Sequence, residues 1–135
     1  MRAVFDANVI AAGVCWDGEA YLCLVKMARR QVFAYGTEAT LAETRETVTR
    51  LIREKKPRHN ATGRLTWYLN AARMVEPAPL GKQRSRDAKD DPYLAAALAA
   101  KATCLVTYDK DLLTLGKPFG IRILKPSAFL QSIAG

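Results

Sequence analysis

The sequence predicts an α/β fold, with a central parallel sheet covered by helices on both faces. Short apolar runs alternate with helix-length segments along the chain, which argues for parallel strands joined by helical crossovers. Carboxylates end those runs, at Asp6 after Arg2-Ala3-Val4-Phe5 and at Asp109 after Cys104-Leu105-Val106-Thr107-Tyr108. In an open parallel sheet, ligands bind outside the carboxyl ends of the strands. Right-handed crossovers put those ends on one rim.

Residues 2 to 6 read as a buried strand punctuated by Asp6-Ala7-Asn8. Residues 18 to 31 read as a helix, with Ala20, Tyr21, Leu24, Met27 and Ala28 at helical spacing and Arg29-Arg30 in the last turn. Val32-Phe33-Ala34-Tyr35 is a second strand closed by Gly36. Thr37 caps a helix running to about Lys55, with Leu41, Val48, Leu51 and Ile52 inward, and Pro57 ends it. A weaker helix over 60 to 72 is anchored by Leu65, Tyr68 and Leu69. Arg73-Met74-Val75-Glu76 is a short strand stopped by Pro77 and Pro79, and a polar loop spans 78 to 89. A helix begins near Pro92, and its Ala-rich body from Leu94 to Ala100 belongs against the sheet. Leu105-Val106-Thr107 is a strand, Asp111-Leu112-Leu113 one helical turn, and Ile121-Arg122-Ile123-Leu124 the last strand. Pro126-Ser127 leads into a short final helix.

At 135 residues one domain, 1–135, is expected, large enough for a real core. Lys and Arg number 21 against 13 Asp and Glu, a net charge of +8, which favours a polyanionic partner such as nucleic acid. Good solubility alone is the plainer explanation of that charge. Cys15, Cys23 and Cys104 have no metal-ligand spacing, and Cys23 and Cys104 sit in apolar runs as small core residues. A reducing cytoplasm therefore fits. There is no signal-peptide pattern and no apolar run long enough to span a bilayer, so no membrane association is expected.

The acids each have an ordinary reading. Asp6 is equally a turn former or helix cap. Glu43 follows Thr40 at capping-box spacing, Asp91 precedes Pro92 as an N-cap aided by Asp90, and Asp109 could cap the turn holding Leu112 and Leu113. Jointly those readings weaken, because the topology brings these elements to one edge. An acidic pocket in a basic protein needs divalent cations to be tolerable. Two Mg²⁺ ions held by three or four carboxylates serve in-line phosphodiester displacement, and no histidine is required. His59, the only one, lies in a basic segment and is expected to be exposed.

Asp6-Ala7-Asn8-Val9, Glu43, Arg86-Asp87-Ala88-Lys89-Asp90-Asp91 and Thr107-Tyr108-Asp109-Lys110-Asp111-Leu112-Leu113 together resemble the signature of PIN-domain nucleases. The likeness extends to the Lys125-Pro126-Ser127-Ala128-Phe129-Leu130 ending and is nearest to stand-alone toxins of type II toxin–antitoxin pairs. It rests on the order and spacing of motifs rather than on any one of them. The resemblance implies a three-layer α/β/α domain and an Mg²⁺- or Mn²⁺-dependent endoribonuclease cleaving single-stranded RNA. It also implies a homodimer and a small antitoxin that blocks the site. By position, Asp6, Glu43, Asp91 and Asp109 match the catalytic, metal-holding acids, and Asp111 matches an additional ligand. Asn8 and Thr107 match their polar supports. Asp91 is preferred to Asp90, since a residue just before Pro92 can turn its side chain toward the rim. Tyr108 stands where Gly is common and Ala88 where Pro is common, and Tyr108 narrows the rim.

From Arg45 to Arg64, seven basic residues face two acidic ones. Within this run Arg53, Lys55, Lys56 and Arg58 are the expected RNA-binding residues, since the run begins on the helix of Glu43. Other readings are a nuclease-inactive RNA- or antitoxin-binding module and a nuclease of the same fold acting on DNA. A phosphatase with an Asp6 nucleophile is disfavoured, because Asn8 stands where a second aspartate is expected.

Overall fold

In the computed structural model, which describes residues 1–133, five parallel strands form one sheet in the order β3-β2-β1-β4-β5. Ala134 and Gly135, the end of the expected 1–135 domain, lie outside the described residues. The strands are β1 (Arg2–Phe5), β2 (Phe33–Gly36), β3 (Arg73–Met74), β4 (Cys104–Val106) and β5 (Arg122–Leu124). The helices are α1 (Ala7–Cys15), α2 (Glu19–Ala28), α3 (Glu38–Lys55), α4 (Ala61–Ala71), α5 (Asp91–Ala100), α6 (Lys110–Leu113) and α7 (Pro126–Ile133).

Alternation along each strand divides the core into two layers. Ala3, Phe5, Ala34, Cys104 and Val106 face one side, packing with Val9 and Val14 of α1, Leu24 of α2, Val48 of α3, Tyr68 of α4 and Phe129 of α7. Val4, Tyr35, Leu105 and Ile123 face the other, against Leu94, Ala96 and Ala97 of α5 and Leu112 of α6. This is a parallel sheet flanked by helices, as the alternation of segments predicts. The alanines of α5 leave no steric ridge, so that helix lies close on the sheet and is buried on most sides.

The register pairs Ala3 with Cys104, Val4 with Leu105 and Phe5 with Val106. The Asp6 amide continues that ladder, donating to the Val106 carbonyl at 3.0 Å. The carboxyl ends of β1 and β4 are thus level and adjacent, which places Asp6 beside Thr107.

Helix α1 does not emerge from periodicity. Ala7, Val9, Ile10, Ala11, Gly13, Val14 and Cys15 are all buried, so this segment has no polar face to mark a helical period. It meets α2 at 93°. A Cβ at Gly13 would stand 2.9 Å from the Ala20 carbonyl oxygen, so this glycine allows the close approach of the two helices. Helix α2 ends at Ala28, short of the expected 31, and Ala28 is exposed. The capping box of α3 joins Thr37 and Thr40, not Thr40 and Glu43, which frees Glu43 from any capping role. No single helix among the described residues is long and apolar enough to cross a membrane. All three cysteines are buried and free.

Phe129 is fully buried, with its ring edge-on to Phe5 at 5.5 Å between centroids. It fastens α7 beneath the strand that ends at Asp6. Phe129→Ala is expected to lower the free energy of unfolding by roughly 3–5 kcal/mol, read from urea denaturation.

Candidate functional site

Asp6 is the N-cap residue of α1 and is 6% exposed. Its side chain caps nothing. Instead Oδ2 accepts a 2.7 Å hydrogen bond from the hydroxyl of fully buried Thr107. The same Thr107 oxygen accepts the Asp109 amide at 2.9 Å. One threonine therefore ties the ends of β1 and β4 together and orients both acids. Asp109 Oδ1 accepts the amides of Asp111 at 2.7 Å and Leu112 at 3.2 Å, capping α6. The capping reading of Asp109 thus holds alongside its place at the rim.

The acidic run before α5 divides differently from the sequence expectation. Asp91 does not turn its side chain toward the rim. Its Oδ1 accepts the Ser85 amide at 2.8 Å and its Oδ2 the Arg84 amide at 2.9 Å. Both oxygens are engaged by the loop that precedes the helix. A 3-10 turn over Ala88–Asp90 leads directly into α5 and carries the preceding residue, Asp90, to the rim instead. Carboxylate oxygens of Asp90, Asp109 and Asp111 lie within 4.8 Å of one another. The reason for favouring Asp91 therefore fails by one residue: the fixed backbone of Pro92 begins the helix, but the turn before it sets which acid faces inward.

Glu43 projects from α3, exposed, and its Oε1 accepts a 2.5 Å hydrogen bond from the hydroxyl of Tyr93 on α5. Asn8 is exposed on the first turn of α1 and takes no part in the hydrogen bonds that hold Asp6 and Asp109. Arg53, Lys55, Lys56 and Arg58 are exposed at the far end of α3 and in the turn after it. At 1.5 Å per residue, Arg53 lies about 15 Å along the helix from Glu43. The structure places these four outside the acidic group. His59, expected to be exposed, is half-buried, with Nε2 2.6 Å from the Val14 carbonyl.

Electrostatics mark these acids as one group. Burial raises the Asp6 carboxyl above its ordinary value, the Thr107 bond opposes the shift, and the charges of Asp109 and Glu43 add to it. Asp90 is pushed up to about 6, first by burial and then by Asp109, Asp87 and Asp6. Tyr93 is raised well above the ordinary phenol range by burial, by its bond to Glu43 and by the charges of Glu43 and Asp6. The one ion pair among the described residues joins Arg64 and Asp17, beyond the opposite end of α1. Carboxylate oxygens form the cluster, and among the described residues no Lys or Arg side chain pairs with them. Hard oxygen donors of this kind suit Mg²⁺ or Mn²⁺.

The sequence model of the PIN domain family matches residues 2–111. Among solved structures, the crystal structure of PAE2754 from Pyrobaculum aerophilum superposes with a TM-score of 0.64 at 18% identity, covering 98% of this chain and 89% of that one. That likeness is one of fold. No curated protein matches the sequence significantly.

In the metal-free protein, Asp90 holds its proton more tightly folded than unfolded, where its ordinary value is 3.8. Its contribution to stability is then complete below that value and lost as pH rises through about 6. Urea denaturation in chelator should show the difference between wild type and Asp90→Asn changing across that window and flat above it. Asp91→Asn should instead lower stability, because both carboxylate oxygens of Asp91 accept the loop amides.

Proposed function

This chain belongs to the PIN domain family, a family of nucleases, and on that premise we propose that it is an Mg²⁺- or Mn²⁺-dependent endoribonuclease acting on single-stranded RNA, in the role of a toxin. The observation that carries this reading is the convergence of Asp90, Asp109 and Asp111 within 4.8 Å, with Asp6 and Glu43 in electrostatic reach and, among the described residues, no Lys or Arg paired with them. We assign the ligand role to Asp90 in place of Asp91. Asp6, Asp109 and Asp111 complete the first group of ligands, and Glu43 stands across the pocket on α3. Bound there, divalent ions would supply charge stabilisation to the phosphodiester and activation of the attacking water.

The protein's own contribution is orientation. Thr107 fixes the Asp6 carboxylate, and the amides of Asp111 and Leu112 fix Asp109, so the donor oxygens are arranged before any ion arrives. A net charge of +8 supports a polyanionic substrate. Arg53, Lys55, Lys56 and Arg58 would contact phosphates away from the scissile bond, lengthening the bound strand without reading its bases. RNA rather than DNA, a homodimer, a small antitoxin and a cytoplasmic setting rest on the resemblance of motif order and spacing.

The activity test uses end-labelled single-stranded RNA and DNA with added Mn²⁺ or Mg²⁺. Cleavage of RNA is expected, abolished by chelator and lowered at least about 10²-fold by Asp6→Asn or Asp90→Asn. Asp91→Asn should retain more activity than Asp90→Asn. Cleavage that persists in chelator removes the metal reading, and cleavage of DNA alone redirects it to a DNA nuclease.

A further inference from the structure

We propose that Tyr93 is a positioning residue for Glu43, its buried hydroxyl fixing an otherwise exposed carboxylate at the acidic rim. This role rests on the metal reading above. The sequence gives no warning of it beyond a single tyrosine in an Ala- and Leu-rich helix body.

Glu43 lies on an exposed face of α3, where a glutamate ordinarily samples many rotamers. Freed from the capping box, it has no local reason to hold one conformation. Tyr93 supplies that reason from across the fold, fifty residues away in sequence. Its side chain is 2% exposed and belongs to the core layer that includes Val4, Ala7 and Tyr35, so the ring is held by packing. The hydroxyl alone reaches the rim. It donates to Oε1 of Glu43 and leaves Oε2 for a cation.

Tyr93 also stands one helical turn beyond Asp90. The first turn of α5 thus presents one acid and fixes another, setting the spacing between the α3 and α5 sides of the pocket. A neutral donor here orients Glu43 without neutralising it, whereas a lysine would occupy the place of a cation. Phenylalanine would keep the ring's packing and remove the hydroxyl, with its bond to Glu43 and its approach to Thr44.

The test is a double-mutant cycle on the full chain, with Mn²⁺ affinity read by calorimetry for wild type, Tyr93→Phe, Glu43→Ala and the double variant. Tyr93→Phe is expected to bind Mn²⁺ about tenfold more weakly, the scale of a hydrogen bond to a charged group, while unfolding as cooperatively as wild type. In the Glu43→Ala background the same change should have no further effect. A Tyr93→Phe protein that binds Mn²⁺ as wild type does, or more tightly, overturns the positioning role and leaves the metal site standing. An equal loss in the Glu43→Ala background also overturns it, because Tyr93 would then act on α5 as a whole. Absence of Mn²⁺ binding by wild type overturns the metal reading and this role with it.

Discussion

Crowding of like charge at the carboxyl ends of the strands constrains the rest of this molecule. Two ionised carboxylates 4.8 Å apart repel by on the order of 3 kcal/mol at an effective dielectric of about 20, before further solvent screening. A hydrogen bond to a charged group contributes about 1.5–3 kcal/mol. The bonds that orient these acids are therefore comparable with the repulsion of one pair, and where several acids crowd together a proton or a cation relieves the rest. Without metal, burial and the charges of Asp109, Asp87 and Asp6 favour the protonated form of Asp90.

The scaffold answers the crowding with neutral donors. Thr107 serves Asp6, backbone amides serve Asp109 and Asp91, and Tyr93 serves Glu43. None brings a positive charge into the pocket. Each donor belongs to a part of the fold with its own reason to be rigid: a buried strand end, the start of a helix, or a packed aromatic ring. Asp91 belongs to the same scheme. It spends its charge on the amides of Arg84 and Ser85, and this holds the polar loop in the shape that delivers Asp90. Adjacent aspartates thus divide the work, one holding the loop and the other facing the pocket.

The strands, their order of appearance and the acids at their ends were legible in the sequence because each apolar run is short and firmly punctuated. Thr37 and Pro92 marked helix starts for local steric and hydrogen-bonding reasons that tertiary structure did not override. Helix α1 was not legible, since a segment buried on nearly every side carries no amphipathic signal. The choice between Asp90 and Asp91 was not legible either. It depends on a 3-10 turn and on which backbone amides a distant part of the loop presents. Tyr93 was missed because its partner is fixed only by the packing of α5 beside α3, although a buried tyrosine always raises the question of where its hydroxyl goes.

Anomalous diffraction from crystals of this protein soaked in Mn²⁺ would show whether Asp6, Asp90, Asp109 and Asp111 hold the cation while Asp91 holds the loop. Manganese density is expected bounded by those four carboxylates, with Asp91 still on the amides of Arg84 and Ser85. Manganese coordinated by Asp91 with Asp90 turned to solvent, or no manganese at this rim, would contradict it.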